Sequence, residues 1–339
     1  MAETAAEREL ALQAFLKEAG WGAAARRSLA GDASFRRYER LAETGRSAML
    51  MDAPPPQEDV RPFVAVARLL AAQGYSAPRI YAEDVARGFL ILEDFGDDTY
   101  TKVLAKGGSE RALYALAVDL LIDLNRRPAR IAAGLPAYDD ATLIEEACLL
   151  LEWYVPAMIG AAPSAALRQS YHQAWEEVLP ILRRVPTTLV LRDYHVDNLM
   201  VLADRPGIRG CGLLDFQDAV AGPIGHDLVS LLEDARRDVP AEIRRDMVER
   251  YCEGIGGLDR ELFAAAYAGL GLQRNLRIVG VFTRLCVRDG KRHYLACLPR
   301  LWRLIADDLE HPRLAPLADW FRRHLPPERR GIPQFLVSA

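Results

Sequence analysis

The segment from 189 to 202, LVLRDYHVDNLMVL, places a dense group of polar residues between two apolar flanks that favour strands. The group consists of Arg192, Asp193, His195, Asp197 and Asn198. A simple turn needs only one or two polar residues, and enclosed carboxylates are costly unless they are paired, hydrogen-bonded or bound to a metal. The segment therefore favours a functional polar loop between two strands, and the rest of the chain must support that interpretation.

Residues 1 to 96 have the pattern of a small antiparallel β lobe. A helix over residues 5–19 ends at Gly20, and a strand-like stretch follows it. Turn signals and the Pro54-Pro55-Pro56 run separate the later elements. These elements are strands at 35–41, 47–51, 79–82 and 88–92, with a helix at 58–73 between the strands at 47–51 and 79–82.

Helical periodicity dominates from residue 97 onward. Leu113, Leu116, Leu120 and Leu124 step through one strongly apolar helix. Further helices are predicted at 141–159, 164–184, 226–236, 241–254, 259–286 and 297–309. Only 188–218 has strand character, and we expect the polar segment on a β-hairpin there. The prediction is an α+β, bilobal chain with a small antiparallel β lobe (1–96) and a large, mainly helical lobe (97–339).

Bulk properties narrow the functional classes. The chain has 339 residues and a formal net charge of -4, which gives no global reason to bind nucleic acid or membrane lipid. No apolar run approaches the ~20 residues of a membrane span. The five cysteines form no CxxC pair, and an odd number argues against a disulfide framework. We expect a cytoplasmic monomer without a stable protein partner.

Three residues supply parts that phosphoryl transfer from ATP requires. Asn198 follows Asp193 by five positions, and Asp215 ends the next predicted strand, 210–216. The reaction needs a carboxylate for the hydroxyl proton of the acceptor and oxygen ligands for Mg²⁺. The spacing alone is common by chance, but the flanking strands and the upstream β lobe make it specific. The alternative is a polar β-hairpin whose Asp and Asn only form turns.

The segment LRDYHVDNLM resembles the catalytic loop of the aminoglycoside phosphotransferase and choline kinase family, His-Gly-Asp-Leu-His-x-x-Asn. Leu191 and Arg192 depart from its His-Gly. GLLDFQDAVAGPIGHDLVSLL resembles the metal-binding strand of the family and its following Gly-x-x-x-x-Asp-Leu. The resemblance implies a protein-kinase-like fold that uses ATP and Mg²⁺. The implied roles are a base at Asp193, metal ligands at Asn198 and Asp215, and a structural, helix-capping aspartate at Asp227.

A narrower resemblance lies in SAMLMDAPPP (47–56), FLILEDFGDDTY (89–100) and QRNLRIVGVFTRL (273–285). Together they look like the bacterial anomeric sugar kinases of cell-wall recycling, which phosphorylate the 1-hydroxyl of N-acetylmuramate and N-acetylglucosamine. The resemblance implies an amino sugar as the small-molecule acceptor. Two alternatives stay open. The chain could be a phosphotransferase for another hydroxyl compound, such as an aminoglycoside or choline, or a nucleotide-binding pseudokinase that acts as a regulator.

The nucleotide side departs from kinases of this fold, which usually carry a lysine on the third strand. Met49 and Met51 occupy the corresponding positions, and no lysine lies between Lys17 and Lys102. Arg36 or Arg37 is the candidate replacement, with Glu58 or Asp59 as a partner, and the alternative is that both arginines face water. Asp94-Phe95-Gly96 lies too early in the chain for a metal motif and is interpreted as the hinge, where backbone groups of Glu93 to Phe95 are expected to bond the adenine edge. The predicted ATP contacts are Gly31, Asp32, Ser34, Arg36, Glu93 and Phe95.

The charge of the C-terminal region ranks the acceptors. Residues 271–339 carry 13 basic and 6 acidic side chains. A polycationic aminoglycoside or choline would favour an acidic pocket, so an anionic or neutral acceptor suits this region better. An arginine could bind the lactyl carboxylate of N-acetylmuramate in bidentate fashion. The candidate acceptor residues are Arg274, Arg277 and His195, which could also merely brace its loop.

Overall fold

The computed structural model describes residues 4–29, 35–127, 129–334 and 336. Contacts between Cα atoms divide the chain into two compact units. The first comprises Met1–Leu116 and Val196–Asp218, and the second comprises Ala117–His195 and Ala219–Ala339. The predicted division into 1–96 and 97–339 was based on expected function, whereas these units are defined by contacts between Cα atoms. The predicted division therefore stays a prediction.

Within the described residues, an antiparallel sheet of five strands forms the body of the first unit, in the order β1-β2-β3-β5-β4. Its strands are β1 (Ala25–Ser28), β2 (Arg37–Glu43), β3 (Arg46–Asp52), β4 (Ile80–Asp84) and β5 (Phe89–Leu92). The accompanying helices are α1 (Ala5–Glu18), α2 (Arg61–Ala72), α3 (Tyr100–Ala105) and the start of α4 (Glu110–Arg126). Leu12 and Leu16 of α1 pack on Leu41, Leu50 and Phe89 of the sheet. The predicted β lobe is confirmed.

A network of charged groups fixes α1 to the end of β3. Arg8 donates from Nε to Asp52 Oδ1 at 2.8 Å, and its guanidinium lies 4.5 Å from the centre of the Phe89 ring. Arg37 donates to the other oxygen of the same carboxylate at 2.6 Å. Asp52 is buried, and burying a carboxylate is costly without such partners. The network therefore ties one helix to two strands.

Helices build most of the second unit. They are the rest of α4, α5 (Asp140–Leu149), α6 (Val155–Ile159), α7 (Ala165–Leu182), α8 (His226–Leu232), α9 (Ala241–Ile255), α10 (Arg260–Asp289), α11 (Leu298–Leu309) and α12 (Ala315–His324). The long α10 lies at the centre of the core, and α5, α7, α8 and α11 pack against it. A helix with apolar or small residues on most sides is stable only when it is surrounded in this way. No helix among the described residues is both long and apolar enough to cross a bilayer.

The strands on either side of the polar segment do not pair with each other. β6 (Thr187–Val190) pairs with β9 (Val220–Pro223), and β7 (Leu199–Val201) pairs with β8 (Cys211–Leu213). The predicted β-hairpin across the polar segment is therefore wrong. The intervening residues, 191–198, are longer than common hairpin loops, so each flanking strand takes a later strand as its partner.

Two predicted helices depart from their patterns, one by an irregular turn and the other by ending early. The helix predicted over 141–159 contains a π-helical turn at Leu150–Tyr154, just before Pro156, which has no N–H to donate. The helix predicted over 226–236 ends at Leu232, and the Asp234 side chain then accepts the Arg236 N–H at 2.8 Å. Such a local hydrogen bond competes with helix continuation. The other predicted helices agree with the structure to within a few residues.

Two carboxyl groups lie buried together beside α10. Asn275 donates from Nδ2 to Glu233 Oε2 at 2.7 Å and to Asp308 Oδ2 at 3.4 Å. A Cβ at Gly271 would lie 2.8 Å from either Asp308 oxygen, so only glycine leaves them room. Burial raises the pKa of Glu233 to about 7 and raises the pKa of Asp308 well above its ordinary value. The pair is therefore stable when it holds a proton.

We expect Asp308→Asn to remove a pH dependence of stability. Because folding raises the pKa of both groups, their contribution is fully present below the ordinary carboxyl pKa and is lost as pH rises through about 7. Wild-type unfolding free energy should therefore fall between about pH 5 and pH 8, and the variant should be more stable at pH 8 by on the order of 2 kcal/mol. Urea unfolding across this range measures both.

The exposed neighbour offers a matched control for this prediction. Asp307→Asn removes the same charge from a side chain that is largely in water, so its pH dependence should follow that of the wild type. Parallel curves for Asp308→Asn and the wild type would show that the pair does not share a proton.

Candidate active site

The β7–β8 hairpin places Asn198 and Asp215 side by side in the first unit. Leu199 pairs with Leu213, and the Leu214 N–H donates to the Asn198 carbonyl at 3.0 Å. The two side chains consequently meet, with Asn198 Nδ2 3.5 Å from Asp215 Oδ2. The structure thus brings together the two residues that the sequence spacing selected as metal ligands.

Asp215 has a backbone φ of +56°, which is uncommon for a residue with a side chain. Its neighbours hold it there. Gln217 donates from Nε2 to Asp215 Oδ1 at 3.0 Å, and the Phe216 ring stacks on Phe63 with the ring centres 5.0 Å apart. Backbone strain of this kind persists only where the surroundings fix it, and it is concentrated at functional sites.

The Asn198–Asp215 pair fits Mg²⁺ better than a metal that needs a complete protein cage. Among the described residues, no three His, Cys, Asp or Glu side chains gather in a way that could hold a metal ion. Mg²⁺ is usually bound through one or two carboxylates together with substrate phosphates. A carboxylate beside an amide, whose carbonyl is a neutral oxygen ligand, fits that requirement.

Arg36 supplies positive charge beside Asp215. Its Nη1 lies 3.7 Å from Asp215 Oδ1, and its Nε lies 3.3 Å from Glu58 Oε2. Only 15% of the side chain is exposed, so the interpretation as a water-facing residue is wrong for Arg36, and Glu58 is its partner as predicted. Arg37 is instead 63% exposed and pairs with Asp52. Of the two candidate replacements for the missing lysine, Arg36 is therefore the one beside the carboxylate.

The segment after β5 is held by ion pairs and hydrogen bonds to the sheet, and its aspartate is not available for a metal. Asp94 pairs with Arg40 Nε at 2.7 Å, so this carboxylate is already engaged. The Glu93 N–H donates to the Arg79 carbonyl at 2.8 Å, which removes one of the backbone groups expected to face adenine. The contacts predicted at the remaining groups of Glu93 and Phe95 stay predictions. The other predicted ATP contacts, Gly31, Asp32 and Ser34, lie outside the described residues.

In the second unit, Asp227 holds the loop that carries Asp193. Its carboxylate accepts the backbone N–H of Leu191 at 2.7 Å and of Arg192 at 2.9 Å. The predicted helix-capping role is wrong, because Gly225 is the N-cap of α8 and the Asp227 side chain turns to the loop instead. Asp227 is structural, but what it stabilises is the loop and not its own helix.

Arg192 adopts a left-handed backbone, with φ +71°. The family pattern has glycine at this position, and the conformation costs other residues of order 1–3 kcal/mol. Hydrogen bonds fix the backbone on both sides, since Asp227 accepts the Arg192 N–H and Ser230 donates to its carbonyl at 3.1 Å. The guanidinium pairs with Glu146 and lies 5.3 Å from the centre of the Tyr138 ring. The arginine side chain thus has contacts that glycine could not make.

Asp193 is a largely enclosed carboxylate among positive charges. Its burial would by itself raise the pKa of Asp193, but the surrounding charges outweigh that effect and leave this pKa below its ordinary value. The arginines that lower it are, in decreasing order, Arg277, Arg274 and Arg192. Asp193 is therefore ionised at neutral pH and able to accept a proton.

The three predicted acceptor residues differ in access. Burial lowers the pKa of His195, so its imidazole is neutral at pH 7, and the backbone N–H of His195 donates to the backbone carbonyl of Asp193 at 3.2 Å. Arg274 is buried and donates to the Glu233 carbonyl at 3.3 Å. Arg277 keeps 24% of its side chain exposed, and its Nε lies 3.4 Å from Glu146. Of Arg274 and Arg277, only Arg277 is therefore accessible to an acceptor.

Sequence reasoning missed Glu146 and Asp234. Glu146 contacts Arg192 and Arg277 from α5, far from any motif, so no sequence signal marks it. Asp234 is 1% exposed, and its Oδ2 is buried without a hydrogen-bond donor among the described residues. It lies near enough to raise the pKa of His195 against the effect of burial. The charged run EDARRD directly after a buried helix was the available signal for Asp234.

Comparison with known sequences identifies relatives across most of the chain. Residues 26–265 match the phosphotransferase enzyme family. An N-acetylmuramate/N-acetylglucosamine kinase of Caulobacter vibrioides is 37% identical, and the alignment covers 96% of this chain and 98% of the relative. The protein of the same name from Pseudomonas aeruginosa is 38% identical over 88% of this chain and 89% of the relative.

Comparison with solved structures confirms the predicted fold class. The GDP complex of aminoglycoside 2'-phosphotransferase-IIIa superimposes with a TM-score of 0.61 at 16% identity, covering 88% of this chain and 99% of the other. The choline kinase LicA of Streptococcus pneumoniae superimposes with a TM-score of 0.60 at 12% identity, covering 88% and 99%. The fold is that of aminoglycoside phosphotransferases and choline kinases.

Arg277→Met is expected to raise the pKa of Asp193, because it removes the positive charge that contributes most to lowering it. An NMR titration of the Asp193 carboxyl carbon in ¹³C-labelled protein measures this pKa. Arg288→Met is the matched control, since it removes the same charge from an exposed part of the same helix. An unchanged Asp193 pKa in Arg277→Met would contradict the electrostatic description of the site.

Proposed function

The chain belongs to the phosphotransferase enzyme family, and we propose that it transfers a phosphoryl group from ATP to the anomeric hydroxyl of an amino sugar. N-acetylmuramate and N-acetylglucosamine are the proposed acceptors. The names of relatives that are 37% and 38% identical over most of both chains support this choice. A cytoplasmic location and action as a monomer are part of the same proposal.

The geometry of the loop at Asp193 is the observation that carries the proposal, because Asp227 fixes the two residues that precede this carboxylate. A carboxylate can accept the proton of an acceptor hydroxyl, and it does so most readily from a comparatively acidic one. Anomeric hydroxyls are more acidic than other sugar hydroxyls, because the ring oxygen withdraws electrons from the same carbon. In the proposed reaction, Asp193 orients the anomeric hydroxyl and accepts its proton as the oxygen attacks phosphorus. The Asp227 brace keeps the carboxylate in place.

The first unit is the proposed nucleotide side. Asn198 and Asp215 would hold Mg²⁺, which when bound offsets the charge of the phosphates. Arg36 takes the role of the missing strand lysine, because it is a partly buried cation beside Asp215. Glu58 holds its guanidinium in place. The remaining proposed ATP contacts are Gly31, Asp32, Ser34, Glu93 and Phe95.

Positive charge around Asp193 favours a neutral or anionic acceptor. Arg192, Arg274 and Arg277 are close enough to affect its pKa, so a polycationic aminoglycoside would meet repulsion there. Of these, Arg277 is the proposed direct acceptor contact. His195 and Arg274 are buried, so we propose that they support the acceptor site without contacting the acceptor.

Release of ADP in the presence of Mg²⁺ tests the proposal. N-acetylmuramate and N-acetylglucosamine should each stimulate it, whereas choline and an aminoglycoside should not. Asp193→Asn keeps the shape but not the base, and it should lower kcat by about 10²–10⁴-fold while ATP still binds. Stimulation by choline or the aminoglycoside alone would reject the amino sugar. Full activity of Asp193→Asn would reject the proposed role of Asp193 as the base.

Arg36→Met is expected to raise the KM for ATP by roughly tenfold and to leave the KM for the sugar unchanged, because a cation beside the phosphates is lost. Arg37→Met is its control, since the neighbouring arginine is exposed and pairs with Asp52 instead. Steady-state kinetics with either substrate varied measures both constants. Equal effects of the two substitutions would remove Arg36 from the nucleotide site.

A further inference from the structure

Glu146 joins the two arginines that flank the proposed base. Its Oε1 pairs with the Arg192 guanidinium, and its Oε2 lies 3.4 Å from Arg277 Nε. Tyr138 donates its hydroxyl to Oε2, and Gln273 Nε2 lies 3.5 Å from the same oxygen. Each oxygen of one carboxylate thus serves a different guanidinium.

Glu146 remains ionised although it is largely buried. Burial would raise the pKa of Glu146, but Arg277 and Arg192 outweigh it and leave this pKa below its ordinary value. The carboxylate therefore brings a full negative charge to a place where two positive charges would otherwise stand together. Without it, the surroundings of Asp193 would carry a larger positive excess.

Arg277 is the member of this group that an acceptor can meet. Glu146 engages its Nε, and no hydrogen bond joins its two terminal nitrogens to another residue in the described part of the chain. An arginine presented in this way can bind a carboxylate through both terminal nitrogens. The other arginines are occupied, since Arg192 pairs with Glu146 and Arg274 donates to the Glu233 carbonyl.

We infer that Glu146 determines which acceptor charge the site accepts: by balancing Arg192 and Arg277, it admits a neutral sugar as well as an anionic one. The inference rests on the proposed function. N-acetylmuramate carries a lactyl carboxylate that N-acetylglucosamine lacks, and the two sugars are otherwise alike. A purely cationic site would favour the first strongly, whereas a balanced site serves both.

The ratio of kcat/KM for N-acetylmuramate to that for N-acetylglucosamine tests the inference, since effects on the common chemistry cancel. Glu146→Gln keeps the shape and one oxygen acceptor but removes the charge, so the ratio should rise about fivefold or more. Arg277→Met should move the ratio in the opposite direction.

Glu145→Gln is the matched control. It removes the same charge from the adjacent, exposed position of α5, and its ratio should equal that of the wild type. Thermal melting of each variant verifies that it is folded, and Arg277→Met supplies a second, independent variant if Glu146→Gln is not.

Each result decides between the possibilities. A ratio that falls in Glu146→Gln, as in Arg277→Met, would mean that Glu146 only holds the arginine in place, and the inference would be overturned. An unchanged ratio in both variants would overturn it as well. If the wild type phosphorylates both sugars in either case, the proposed function stands. If the wild type phosphorylates neither sugar, the proposed function fails, and the inference fails with it.

Discussion

The carboxylate of Asp227, which accepts two consecutive backbone N–H groups, is the interaction on which the proposed catalytic loop depends. It fixes Leu191 and Arg192 just before Asp193, and it allows Arg192 to keep a left-handed backbone. The Arg192 guanidinium is thereby directed to Glu146, which also engages Arg277. One buried aspartate therefore supports both the position of the base and the charges around it.

Charge compensation follows a similar rule in each unit. In the second unit, arginines outweigh the burial of Asp193, and Glu146 in turn balances those arginines. In the first unit, Arg36 stands beside Asp215 and is itself paired with Glu58. A charge enclosed by protein is tolerated when its partners are fixed in advance. Such fixed charges cost little reorganisation when reactants with charges of their own arrive.

The sequence was sufficient where structure depends on neighbours along the chain. It predicted the pairing of Asn198 with Asp215, the β lobe that forms the five-stranded sheet, and the long α10. The sequence was insufficient where an interaction joins residues that are far apart along the chain. Strand pairing across the polar segment is decided by later strands, and Glu146 meets Arg192 from a helix 46 positions earlier. The positive φ of Arg192 is unusual for a residue with a side chain, and hydrogen bonds from residues distant in the sequence hold it.

Phosphorus NMR of the product formed from N-acetylmuramate and Mg-ATP tests the central claim most directly, because it reports the atom that receives the phosphoryl group. The account predicts a new phosphate signal split by the anomeric proton, with ADP formed in equal amount. A phosphate coupled to a proton at another ring position would contradict transfer to the anomeric hydroxyl and the role proposed for Asp193 there. Inorganic phosphate as the only product would contradict transfer to the sugar altogether.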